Sequence, residues 1–126
     1  MIGVTRAVRV FAYGAPVDMR RGFNGLAAMV EHEIGHDLLR GDVYLFVGRS
    51  CRRAKVLYFD GTGLCLLAKR LEKGRFARPW ARERGGTMSL TLSELALFLE
   101  GGELLEKKTL APPGLVQKEL AMQIPV

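Results

Sequence analysis

His32-Glu33-Ile34-Gly35-His36 has the spacing at which one helix face offers two histidines to a zinc ion while the glutamate between them activates water. A zinc-dependent hydrolase built this way needs a third ligand. The extended form of the motif asks for glycine and then histidine where Leu39 and Asp42 stand. Asp42 has ligand chemistry, but Leu39 replaces the turn glycine. Ile34 continues an apolar stripe and Gly35 fits a helix end, so His36 falls past the helix and out of register with His32. The zinc-hydrolase alternative is therefore minor, and no metal site is expected. A two-metal polynucleotide transferase would want several acids; Asp18, Asp37, Asp42 and Asp60 qualify by type only, and Asp60 suits the turn before Gly61. No catalytic residue and no cofactor is expected.

The other chemistry is cationic. Arg49 to Arg84 holds eleven Arg/Lys against Asp60, Glu72 and Glu83, a local charge of 11 − 3 = +8 in a chain of net +6. The same stretch contains Val56-Leu57-Tyr58-Phe59 and Leu64-Cys65-Leu66-Leu67, so it reads as a folded surface rather than a solvated tail. The usual partner of such a surface is a polyanion, most often nucleic acid. Three segments carry the candidate contacts. Arg20 and Arg21 fall in the first turn of a predicted helix, where free N–H groups and guanidinium groups would hold a phosphate, unless Asp18 neutralises them. Arg49, Arg52, Arg53 and Lys55 surround a strand connection that can reach along a phosphate backbone. Lys69, Arg70, Lys73 and Arg75 extend the track, with Arg78, Arg82 and Arg84 beyond. Aromatics among basic residues can stack on bases but are more often core anchors; Phe76 suits a core anchor, and Trp80, in a loop after Pro79, is left between the two readings.

These residues need a scaffold. The alternation from Arg6 to Tyr13 predicts a strand with Val8, Val10 and Ala12 on one face and Arg9, Phe11 and Tyr13 on the other. Asp18 is the expected N-cap of a helix whose stripe is Met19, Phe23, Leu26, Ala27, Val30 and Ile34. Gly22 and Gly25 lie inside it, which points to close packing. Strands are expected at Val43–Val47, Lys55–Asp60 and Leu64–Arg70, the last two joined by Gly61-Thr62-Gly63. Both faces are apolar, so the sheet is covered on two sides or shares an interface. Met88-Ser89-Leu90 is a short strand, and Thr91-Leu92-Ser93-Glu94 is a capping box that opens a helix ended by Gly101-Gly102. The order β-α-β-β-β-α gives an α+β fold, an antiparallel meander packed by helices. One domain over residues 1–102 with a flexible tail over 103–126 is expected.

No apolar run nears 18 residues and the N-terminus shows no signal peptide, which argues against a membrane partner. Cys51 and Cys65 form neither a disulfide framework nor a four-cysteine zinc site, which fits a reducing cytoplasm.

The run from Pro16 to Leu26, Pro-Val-Asp-Met-Arg-Arg-Gly-Phe-Asn-Gly-Leu, resembles the opening motif of the accessory proteins of IS sixty-six-type insertion sequences. These are second-reading-frame products, often called TnpB and distinct from the RNA-guided nucleases of that label. The resemblance continues through residues 43–48, Phe59 to Leu66, Lys69 to Phe76, Pro79, Gly86 to Thr91 and Leu95 to Gly101. Tyr58-Phe59 stand where the family usually has two tryptophans, and Gly101-Gly102-Glu103-Leu104 departs from its usual Gly-Ile-Asp-Trp. The resemblance implies a role in transposition beside a separate transposase. With the basic surface, the expectation is a non-enzymatic accessory protein that binds DNA and assists the transposase. The alternative is a protein-interaction module that docks the transposase without touching DNA, with an apolar sheet face in the interface.

Overall fold

The structure, a computed structural model, describes residues 7–101, 103–104 and 110–111. Its frame is a five-stranded sheet of β1 (Val10–Tyr13), β2 (Val43–Val47), β3 (Arg53–Phe59), β4 (Leu64–Arg70) and β5 (Thr87–Leu90) in the order β4-β3-β2-β1-β5. The expected meander covers β2, β3 and β4. The remainder corrects it to a mixed sheet: β1 runs parallel to β2 and antiparallel to β5. Parallel neighbours need a crossover. Helix α1 (Phe23–Ala28), a π-helical continuation (Met29–Ile34) and a 3-10 turn (Leu38–Arg40) supply it. The fold class is α+β.

Strand alternation sorts the core into two layers. Val10, Ala12, Leu45, Val47, Val56 and Met88 point to the face covered by helix α2 (Leu92–Leu99) and the 71–86 segment. Tyr44, Phe46 and Leu57 point to the face covered by α1 and its continuation, through Leu26, Met29 and Val30. The reading of a sheet covered on two sides therefore holds for the inner strands, while Leu67 on β4 stays about half exposed.

Asp18 does not cap α1, which begins only at Phe23, with Gly22 extended at the N-cap. Asp18 instead closes a tighter turn: its carboxylate accepts from Arg20 N at 2.9 Å, and its carbonyl from Arg21 N at 3.1 Å. Gly22 faces open space, so only Gly25 is inside the helix, packed on the Arg21 side chain. At the other end Gly35 is left-handed, as a C-terminal glycine should be. The Thr91 capping box forms in full: Glu94 N donates to Thr91 Oγ1 at 3.0 Å and Thr91 N to Glu94 Oε1 at 2.8 Å. Gly101 then follows α2 in a left-handed conformation. Beyond it, β6 (Glu103–Leu104) and β7 (Leu110–Ala111) pair antiparallel where a flexible tail was expected to begin. The rest of that expected tail, residues 105–109 and 112–126, lies outside the described residues.

Candidate nucleic-acid interface

Gly48 to Arg52 joins β2 to β3, and its shape comes from Cys51. This residue is buried with φ 62°, a left-handed conformation that costs of order 1 kcal/mol for a side chain of this kind. Burial of the thiol in the core offsets that cost, and the same burial pushes its pKa up. With Cys51 turned inward, Arg49 and Arg52 project into solvent. The main chain then ties this turn to the segment after β4: Leu71 N donates to Arg52 O at 2.8 Å, and Phe76 N to Cys51 O at 2.7 Å. Phe76 is a core anchor, stacked on Phe98 with ring centroids 5.2 Å apart. Lys73 and Arg75 are thus held in an exposed loop beside Arg49 and Arg52. Arg75 and Arg78 both lie near enough to the Cys51 thiol to act on it electrostatically. Trp80, undecided in the sequence between core anchor and stacking surface, is half-buried on a short 3-10 turn and packs against the core.

The Asp18–Arg21 turn joins the same end of the sheet. Val17 N donates to Val47 O at 3.0 Å, and a Cβ on Gly48 would meet the Met19 side chain at 2.7 Å. Lys55 Nζ donates to Arg21 O at 2.7 Å. Arg20 is bound by Asp18 through Nη2 at 2.8 Å, and this hydrogen bonding holds the Asp18 carboxyl down at about 2. The pair sits before α1, so the expected phosphate site on a helix N-terminus is not formed. Arg20 and Arg21 instead border a basic cleft.

That cleft, about 360 Å³, is lined by Met19, Arg53, Lys55, Lys69, Arg70 and Glu72 among others. Arg53 and Arg70 stand directly opposite each other on β3 and β4, and Lys55 faces Ala68. Arg70 Nε has one acidic partner, Glu72 Oε2 at 3.1 Å. The structure thus draws the ten candidate residues to one end of the sheet. Arg53, Lys55, Lys69 and Arg70 line the cleft, Arg20 and Arg21 lie beside it, and Arg49, Arg52, Lys73 and Arg75 are on the adjoining loops.

The opposite end is unlike it. An open cavity of about 730 Å³ is lined there by Val8, Leu39, Val43, Tyr58, Leu92 and Leu95 among others. Nearby, Asp60 shapes the β3–β4 turn by accepting from Thr62 N and Gly63 N, each at 2.9 Å. These bonds hold its carboxyl at about 2.

Sequence reasoning missed the pairing of Asp42 with Arg9. Asp42 is buried and accepts from Arg9 Nη2 at 2.7 Å and Arg9 N at 3.2 Å. These residues are 33 apart, and only the parallel β1–β2 pairing brings them together. His36 lies beyond Gly35 and shares a 2.8 Å hydrogen bond between Nδ1 and Tyr44 Oη, while His32 is exposed on the π-helical turn. The two rings are not presented from one helix face.

Residues 8–109 match the family described as IS66 Orf2-like proteins. The chain is 37% identical over 101 residues to uncharacterized protein y4jC of Sinorhizobium fredii, covering 80% of this chain and 85% of that protein. It is 38% identical over 94 residues to uncharacterized protein y4hO of the same organism, covering 75% and 80%. No solved structure matches it. With the family match spanning the sheet, both helices and the whole basic end, the chain belongs to the IS66 Orf2-like family of insertion-sequence proteins.

Proposed function

We propose that this protein is a non-enzymatic accessory factor of transposition that binds DNA through the basic end of its sheet and assists a separate transposase. The observation that carries the reading is convergence. Three segments distant in sequence are held together there by main-chain bonds, with Arg53 opposite Arg70. Like charges directly opposed across strands destabilise a sheet by roughly 0.2–1 kcal/mol. Among the described residues only the exposed Glu72, 3.1 Å from Arg70 Nε, offsets this pair, so the surface keeps an excess of cations suited to a polyanion. Exposed, flexible cations favour contacts to phosphate over base edges, so recognition is mainly independent of sequence and sensitive to salt.

Fluorescence anisotropy of nuclease-treated protein on duplex DNA across a salt series tests this. Log affinity should fall linearly with log salt, with a slope of about −0.9 per phosphate neutralised. Changing Arg49, Arg52, Arg53 and Lys55 to Ala should flatten that slope. Affinity that is indifferent to salt would remove the phosphate-contact mechanism. Absence of DNA binding, with co-purification of the transposase after nuclease treatment, would instead favour a basic end that docks an acidic protein surface.

A further inference from the structure

Strand β4 is an edge of the sheet, and it lacks the usual protections of an edge. Edge strands in soluble proteins are commonly short, bulged, interrupted by proline or charged in the middle. The other edge, β5, has four residues; β4 has seven, in unbroken register with β3. Its sequence, Leu-Cys-Leu-Leu-Ala-Lys-Arg, has no proline or glycine, and its charges are confined to the last two positions. Leu67, at its centre, is 48% exposed, and Ala68 is exposed beside it. Among the described residues nothing pairs with its outer side.

The hydrogen-bond phase says which groups that side offers. Asp60 N donates to Gly63 O, and Leu71 N to Arg52 O, so these two flanking pairs are bonded between the strands. Antiparallel pairs alternate between bonded and non-bonded. Counting inward from either flank, Cys65, Leu67 and Lys69 bond to β3, and the main-chain groups of Leu64, Leu66, Ala68 and Arg70 point outward.

From this geometry we infer that β4 pairs antiparallel with β4 of a second copy of this chain, centred on Leu67, to make one continuous sheet across a two-fold axis. In that register Leu64 meets Arg70 of the copy and Leu66 meets Ala68. Every outward-facing residue thus finds an outward-facing partner, and none is left over. Leu67 meets its own copy in a non-bonded pair, where side chains are closest, and covers its exposed surface. Charge selects the antiparallel direction. The strand runs from the ionised Asp60 turn to Lys69-Arg70. Antiparallel pairing sets the acidic end of each copy beside the basic end of the other, whereas parallel pairing would stack like ends. The axis is perpendicular to the sheet, so both clefts open on one face, with the two Arg70 positions roughly 20 Å apart along the strand direction.

The test uses the full-length, nuclease-treated protein, so it is independent of the DNA-binding proposal. Light scattering should give twice the mass of one chain; a single-chain mass up to the solubility limit overturns the inference. Ala68→Pro removes an outward N–H and none that bonds β3, so it should abolish the dimer with an unchanged far-ultraviolet circular dichroism spectrum. A dimer that survives it overturns the edge pairing. Register is read by oxidation. Leu67→Cys with Cys65→Ser should form a disulfide-linked dimer, because non-bonded antiparallel neighbours lie about 4.5 Å apart at Cα, within disulfide range. The parent protein should not cross-link through Cys65, which sits roughly 13 Å along the strand from its copy. Cross-linking through Cys65 but not through Leu67→Cys overturns the register.

Discussion

Asp60 shows how one side chain can fix a turn and make it pH-sensitive. Its Oδ1 accepts from Thr62 N, Gly63 N and Thr62 Oγ1, and these bonds hold its pKa at about 2. The unfolded value is about 3.9. A carboxylate depressed on folding contributes stability that is fully present above the unfolded value and lost as pH falls through the folded one. Thermal melts should therefore show a stability loss between about pH 4 and pH 2. Asp60→Asn keeps an acceptor for the turn and should flatten that part of the profile, whereas Asp60→Ala should lower the melting temperature already at neutral pH. A profile for Asp60→Asn that overlays the parent's would assign the acid sensitivity elsewhere, with Asp18 the next candidate because its pKa is equally low. Asp42 makes a different argument. It is buried, but its partner Arg9 is half-exposed and can be rehydrated when the carboxylate is removed. Asp42→Ala should therefore cost about 1–3 kcal/mol in denaturant unfolding, the cost of lost charged hydrogen bonds rather than of a stranded buried ion.

The elements that hold the basic surface differ in how they are anchored. Helix α2 begins at a complete capping box, so Thr91→Ala should cost about 1 kcal/mol and leave the basic end of the sheet in place. The 71–78 loop has no regular structure to fix it and depends on Phe76 stacked against Phe98. Phe76→Ala should cost about 3–5 kcal/mol, because it opens a cavity beneath the loop. It should also release Lys73 and Arg75 from their place beside Arg49 and Arg52. The measurement is denaturant unfolding of both variants alongside DNA affinity. Equal losses of affinity at matched stability would mean that the loop's anchoring is irrelevant to the surface.

The whole molecule is bipolar: cations gather where β2 ends and β3 begins, and apolar surface with the Asp60 turn gathers at the other end. Such a distribution stores repulsion in the folded state. The melting temperature should rise from low to moderate salt as that repulsion is screened within a Debye length of about 10 Å at 0.1 M. Arg53→Thr should stabilise the free protein by roughly 0.2–1 kcal/mol, by relieving its opposition to Arg70, and should weaken DNA binding in the same preparation. Stability and affinity falling together would mean that the pair is not under electrostatic strain.

Much of this protein follows from local sequence. The periods of β2, β3 and β4, the Thr91 box, the left-handed Gly35 and the turn role of Asp60 depend on contacts within a few residues, so neighbouring residue types determine them. The excess of cations is likewise a property of composition. Tertiary structure decided the rest. Trp80 becomes half-buried because the 71–86 segment covers a sheet face. Arg53 opposes Arg70, and Asp42 meets Arg9, only once strand register is set, and register is a long-range choice fixed by burying both faces at once. The sequence supplied the charges; the sheet determined which of them stand together.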